Sequence, residues 1–295
     1  MEFKEKLDSY ISLAEDSLKV YNAHSDNNKP QSGLIDAMNY SLEAGGKRVR
    51  PVLVYSFCEM LGGDLRKAKA PAAAIEMIHT FSLIHDDLPA MDDDDFRRGR
   101  PSCHKAYGEA MAILAGDALS VLPFEIIADD NELDAADKVR IISYLAKAVG
   151  RDGMIGGQVI DMENEERTDV DEANLRNMYR CKTGQLIAAS CVMGCICAGA
   201  DADVIRTAEE YAFRLGLAFQ IIDDILDVTG TQENLGKPVG SDEEENKTTF
   251  VTLYGVARAQ QIASAITSEA MTLLEQFDNS GFLKQLTEML LKRTK

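Results

Sequence analysis

The sequence predicts an all-α fold of about ten helices, on the strength of three observations. Ala, Leu, Met, Glu and Lys fill long stretches, while 295 residues hold only seven prolines and no tryptophan. Almost every segment carries apolar residues at helical period. Neither repeated strand alternation nor βαβ spacing occurs.

Helices are expected over residues 3–23, 32–43, 47–61, 71–88, 103–129, 136–160, 172–199, 202–228, 247–277 and 280–292. Pro71 suits a first helical turn, and Gly45-Gly46 and Gly62-Gly63 suit helix ends. Pro89 should end or kink the helix before it, because its ring has no N–H to give. No Pro/Ser/Gly-rich linker divides the chain, so a single domain over residues 1–295 is expected. The longest polar gap, TGTQENLGKPVGSDEEENK at 229–247, is long enough to be functional rather than idle.

Composition removes several classes of function. A formal net charge of −18 argues against a nucleic-acid binder, which needs a basic face, and against attraction to anionic membranes. No uncharged apolar run is long enough for a membrane span, and MEFKEKLDSYISLAEDSLKV lacks the apolar core of a signal peptide, so a cytosolic protein is expected. Six cysteines without a CxxC pair fit reduced, packed thiols better than a metal site.

Two acidic motifs break the helical pattern. HDDLPAMDDDDFRRGRP packs six aspartates between Asp86 and Asp95, with Arg97, Arg98 and Arg100 directly after. On an unbroken helix Asp92 would lie roughly 120° around from Asp86, with Asp93 above it, so spacing alone leaves open which later aspartate joins Asp86. In FQIIDDILD, Asp223 and Asp227 are four apart on one helix face, Asp224 flanks them, and Ile221, Ile222, Ile225 and Leu226 surround them. Carboxylates on a packed helix are costly unless a cation or hydrogen bonds compensate; the plain alternative for each motif is a solvated face. Oxygen donors in this number suit Mg²⁺ or Ca²⁺ rather than zinc, and the calcium-loop pattern is absent. Mg²⁺ takes few protein carboxylates and completes its shell with water and substrate phosphates.

The basic residues fall in short groups: Lys47, Arg48 and Arg50 in GGKRVRP; Arg97, Arg98 and Arg100; Arg180 and Lys182 in YRCKTG; Lys237 in LGKPVG; Lys247 in ENKTTF. Any one group alone passes for surface charge. No Walker-type loop and no GxGxxG is present, which argues against a nucleotide fold.

In combination and in order, GGKRVRP, HTFSLIHDDLPAMDDDDFRRGRP, GGQVID, KTG, FQIIDDILD and GKPVGSDEEENK resemble the trans-isoprenyl diphosphate synthase family, from about Gly45 to Phe250, and most closely its bacterial farnesyl diphosphate synthases. The resemblance implies helices around a deep central cavity, a homodimer, and the two acidic motifs facing each other across the cavity mouth. It assigns Asp86, Asp92, Asp223 and Asp227 to three Mg²⁺ ions bound with an allylic diphosphate, with Asp87 and Asp224 in support. It places Arg97, Lys182, Lys237 and Lys247 on the same diphosphate. Lys47, Arg50, His79 and Arg98 would bind isopentenyl diphosphate without metal.

The chemistry implied is loss of the allylic diphosphate, attack of the isopentenyl double bond on the resulting cation, and loss of a proton to the departing diphosphate. Thr183, before Gly184 and a helix irregularity expected there, and Gln220 would aim oxygen dipoles at the cation. Without the resemblance, each is better read as a residue hydrogen-bonding its own helix. Gln158 and Asp161 of GGQVID would stand behind them. Phe81, five residues before Asp86, and Ser82, four before it, are expected to set product length, with the two-residue insertion Pro89-Ala90 marking a farnesyl product. His24, His85 and His104 read as structural, and Asp93, Asp94 and Asp95 stay unassigned.

Three other readings remain at this point. A geranylgeranyl diphosphate synthase has the same sites and a deeper pocket. A terpene cyclase has an Asn/Ser/Glu second motif, which FQIIDDILD is not. A non-catalytic helical partner would have lost motif residues, and none is missing.

Overall fold

The computed structural model describes residues 2–23, 30–229 and 247–291. The chain divides into two compact units, one of Met1–Ile142 with Ile196–Ala198 and one of Ser143–Cys195 with Gly199–Lys295.

The first unit holds α1 (Phe3–Tyr21), α2 (Ser32–Leu42), α3 (Val49–Met60), α4 (Lys69–Asp86), α5 (Cys103–Tyr107) and α6 (Glu109–Asp129). In α3, VRPVLVYSFC is buried from Pro51 to Cys58; a helix apolar all round is a core helix. In α4, Ala70, Ala72, Ala73 and Ala74 are buried beside Ile75, Met77 and Ile78, so small side chains admit close neighbours while large ones fill the space. Each fully buried Leu, Ile or Met contributes roughly 1.5–3 kcal/mol. α6 packs along α4. By length and composition alone α6 would pass for a membrane span, but Ala112, Ala115, Gly116, Leu119, Ile126 and Ile127 are buried within the unit.

α7 (Ala135–Val149) crosses from the first unit into the second. The second unit continues with α8 (Met154–Glu165), α9 (Glu172–Tyr179), a π-helical turn Arg180–Gly184, α10 (Gln185–Cys197) and α11 (Ala202–Thr229). Helices Phe250–Tyr254, Val256–Leu274 and Gly281–Leu291 close the unit. α11 packs chiefly on Val256–Leu274. All six cysteines are free thiols, and five are buried.

The all-α expectation holds, with corrections. The helix expected over 103–129 breaks at Gly108, and that over 247–277 breaks at Gly255; both glycines have positive φ, 85° and 75°. The helix expected over 136–160 ends at Val149 and restarts at Met154, because Arg151–Gly153 form a turn. The segment expected over 172–199 contains the π-turn. A two-stranded hairpin, β1 (Phe96–Arg97) and β2 (Arg100–Pro101), was not expected; two-residue strands are too short to leave an alternation signal. Pro89 does end α4, at Asp86.

Candidate functional site

In the first unit, helix α4 supplies the backbone of the site. It carries Glu76, His79, Phe81, Ser82 and Asp86 in order. Beyond Asp86 the chain loops back, and the Asp92 N–H donates to the Asp86 carbonyl at 2.9 Å. That bond sets the backbone of Asp92 beside the end of α4. Asp86 is part-exposed and Asp92 exposed.

Asp87 points the other way. It is buried, and Arg97 Nε donates to it at 2.8 Å. Arg97 also reaches Asp94 at 2.8 Å. Burial pulls the Arg97 guanidinium down, but Asp87, Asp94 and Asp86 outweigh it and hold Arg97 more firmly charged. Asp87 thus supports Arg97, and Asp94 joins it.

The hairpin pairs Arg97 with Arg100, and its two turn residues, Arg98 and Gly99, are left-handed at φ 55° and 76°. The turn sends the Arg98 guanidinium onto Gly45-Gly46, where it donates to the Gly45 carbonyl. A Cβ at Gly46 would lie 2.7 Å from Arg98 Cζ, so the glycine pair of GGKRVRP is the dock for Arg98. Arg100 is taken by the Tyr40 ring, 3.7 Å from its centroid, which separates it from Arg97 and Arg98.

Next in GGKRVRP, Arg48 begins α3 in the left-handed conformation, φ 49°. It is buried, donates to Glu76 at 2.9 Å and to the Leu42 carbonyl at 2.6 Å. Lys47 is exposed and Arg50 part-exposed, with a buried Nε that has no hydrogen-bond partner. Burial and the neighbouring arginine depress Arg50, and burial with Arg48 and Arg97 depresses Arg98; Glu76 opposes both shifts. Burial, then Arg50, Arg98, Arg48 and Arg97, hold the His79 imidazole well below its ordinary range, so it is neutral at pH 7. Cations crowded enough to depress one another, with Glu76 and Asp87 buried against Arg48 and Arg97, form a site for an anion of several charges.

Asp93, Asp95 and His104 bring ligand atoms within 4.8 Å of one another, the one such acidic group among the described residues and not the expected set. Its charge is partly met already: Lys105 pairs with Asp95 at 2.7 Å, and His104 Nδ1 lies 3.0 Å from Ser102 Oγ.

In the second unit the YRCKTG segment forms the π-turn. Such turns concentrate at functional sites. Lys182 pairs with Asp161 of α8, and Thr183 Oγ1 donates to Gln220 Oε1 of α11 at 2.9 Å. α8 approaches so closely at Gly157 that a Cβ there would meet Lys182 N at 2.2 Å. Gln158, one residue on, is part-exposed. Arg180 lies over the Phe213 ring at 3.5 Å, which leaves Lys182 as the cation of this turn engaged by a carboxylate.

On α11, Asp223 and Asp227 share a face and are part-exposed, while Asp224 is buried. Tyr179 Oη lies 2.9 Å from both Asp224 oxygens, and the Phe250 N–H donates to Asp224 at 3.2 Å. Thr249 caps the helix that starts at Phe250, fixing that N–H. Lys247 reaches Glu165 at 3.5 Å. Lys237 and His24 lie outside the described residues.

Sequence reasoning missed Glu76 and Tyr179. Glu76 had a signal, a lone carboxylate in the apolar run KAPAAAIEMIHTF, which demands a buried partner. Tyr179 had none. The exposed carboxylates of both motifs are oxygen-only donor sets, as Mg²⁺ requires, and the Asp86–Asp92 loop bond holds one such pair on adjoining backbone.

Comparison with known proteins agrees with this chemistry. A family model, polyprenyl synthetase, matches residues 31–290. A farnesyl diphosphate synthase of Geobacillus stearothermophilus is 49% identical, covering 83% of each chain. The farnesyl diphosphate synthase of Escherichia coli (strain K12) is 41% identical over the whole of both chains. A geranylgeranyl diphosphate synthase of Cyanophora paradoxa is 44% identical, covering 84% of this chain and 83% of its own. Among solved structures, an FPP/GFPP synthase of Zymomonas mobilis superposes with a TM-score of 0.87 at 33% identity, covering 98% of this chain and 100% of that one. With the model match running through both units and both acidic motifs, the chain belongs to the polyprenyl synthetase family and is a prenyltransferase.

Proposed function

We propose that the protein is a Mg²⁺-dependent farnesyl diphosphate synthase, condensing isopentenyl diphosphate with dimethylallyl or geranyl diphosphate and stopping at (2E,6E)-farnesyl diphosphate. The observation that carries this is the order of groups along α4. An arginine-rich anion site surrounds His79, and seven residues on stands Asp86, bonded through its loop to Asp92. Seven helical residues rise about 10 Å, room for two compact diphosphates side by side.

In this reading Asp86, Asp92, Asp223 and Asp227 hold three Mg²⁺ ions, and Asp87 and Asp224 support them. Bound Mg²⁺ supplies Lewis-acid neutralisation of the leaving diphosphate. Arg97, Lys182, Lys237 and Lys247 grip the allylic diphosphate, and Lys47, Arg50, His79 and Arg98 grip isopentenyl diphosphate. Arginine's planar fork suits phosphate oxygens. The Thr183–Gln220 hydrogen bond fixes two oxygen dipoles toward the allylic cation, with Gln158 and Asp161 behind them. The isopentenyl proton leaves to the departing diphosphate. Phe81 closes the pocket floor at farnesyl length, and Ser82 leaves room above it.

We infer that the whole chain acts as one domain, supported by a family match that runs through both units. A homodimer is supported by Ile113, Leu114 and Val121, apolar and 44%, 53% and 64% exposed on α6. The net charge of −18 supports a cytosolic protein without nucleic-acid or stable membrane partners. A geranylgeranyl product is the second reading, favoured by the 44% identity to the Cyanophora paradoxa protein. Incubation with isopentenyl and dimethylallyl diphosphates and Mg²⁺, followed by chromatography, decides: farnesyl product supports the proposal, geranylgeranyl product selects the second reading, and no product sinks both.

A further inference from the structure

We infer that His85 is a positioning residue for product length, holding Phe81 in place through a niche at Gly116. The inference rests on the reading of Phe81 as pocket floor. Phe81 and His85 are four apart on α4 and share a face. The His85 ring meets the Phe81 ring edge-on, centroids 5.7 Å apart at 80°. Phe81 is only 6% exposed, whereas the His85 side chain is 30% exposed.

His85 does not lean on Phe81 freely. Its Nε2–H donates to the Ile113 carbonyl of α6 at 3.1 Å, and Asp117 stands 3.9 Å from the same nitrogen. Gly116, one helical turn from Ile113, makes the space: a Cβ there would lie 2.1 Å from His85 Nε2 and 2.4 Å from Cδ2. Any side chain at 116 must therefore expel the ring. Expulsion is possible, because the ring already borders solvent. The Ile113 carbonyl and the niche at Gly116 thus seat the imidazole, and the imidazole packs on the Phe81 ring. Freed of that brace, Phe81 turns aside, and the chain growing down α4 gains room for another isoprene unit.

Four variants test this: Phe81→Ala, His85→Ala, Gly116→Ala and the double His85→Ala/Gly116→Ala, each with a melting curve and a chromatographic product profile. Both His85→Ala and Gly116→Ala should raise the ratio of geranylgeranyl to farnesyl product about tenfold, and the double variant should match His85→Ala alone, since Gly116→Ala acts only through the imidazole. A folded Gly116→Ala protein with an unchanged product, or additive effects in the double variant, overturns the brace. So does loss of fold in either single variant, which would make His85 a packing residue of the α4–α6 pair. If Phe81→Ala shifts the product and the other variants do not, the brace fails and the floor stands. If Phe81→Ala also leaves the product alone, the floor reading itself fails.

Discussion

Glu76→Ala removes the buried carboxylate that pairs with Arg48 in the first unit. Glu76 is 1% exposed and Arg48 is 3% exposed, at 2.9 Å from each other. Removing one member of a buried pair costs about 3–5 kcal/mol, because the other charge stays buried without its partner. Here the lower end applies. Arg48 keeps its bond to the Leu42 carbonyl, and Glu15, 3.9 Å from Arg48 Nε and part-exposed, takes up some of the charge. The expected loss is therefore about 3 kcal/mol by urea denaturation. Glu76→Gln keeps the shape but not the charge and should lose nearly as much. Arg48 lies between Lys47 and Arg50, so releasing it disturbs both. KM for isopentenyl diphosphate should rise more than KM for geranyl diphosphate. A stability loss below about 1 kcal/mol, with both KM values unchanged, would refute the view that this pair holds the anion site.

Asp86→Ala and Asp223→Ala should each lower turnover by orders of magnitude while the melting temperature holds or rises, since removing a carboxylate relieves repulsion in the metal-free protein; a large drop in melting temperature with normal kinetics would argue for a structural role. Arg98→Ala should weaken isopentenyl diphosphate selectively and Arg97→Ala the allylic substrate, each by roughly 1.5–3 kcal/mol for a lost charge-assisted contact; equal effects on both substrates would undo the assignment. His79 has a folded pKa well below its ordinary 6.5. The unfolded chain thus takes up its proton first as pH falls below 6.5, and stability drops by up to about 1.4 kcal/mol per pH unit until the folded pKa is reached. Urea midpoints measured downward from pH 6.5 should fall less in His79→Gln than in the parent, and identical pH profiles would contradict an imidazole held neutral in the fold.

Much of this was legible from local chemistry. Pro89 had to stop α4, and it does so at Asp86. Asp223 and Asp227 had to share a face of an amphipathic helix, and KTG suggested an irregular turn. What was not legible depends on contacts distant in sequence. The backbone of Asp92 returns to the Asp86 carbonyl through a loop hydrogen bond that helical spacing cannot anticipate. Asp94 and Asp95 were indistinguishable in a run of like residues until Arg97 and Lys105 claimed one each. Arg97, Arg98 and Arg100 read alike, yet a two-residue turn sends them to Asp87, to Gly45 and to Tyr40. Asp224 lost its ambiguity only when Tyr179 and the Phe250 N–H met it, partners 45 and 26 residues away. Helix breaks at Gly108 and Gly255 were missed because a single glycine inside a periodic run reads equally well as tolerated.

In the proposed reading the two acidic motifs act only through cations, while the arginines act without them. Turnover of isopentenyl and geranyl diphosphates in excess EDTA, and again after Mg²⁺ is restored, is the decisive measurement. No farnesyl diphosphate should form under EDTA and full activity should return with Mg²⁺; product that persists in EDTA would show that the acidic motifs work without metal.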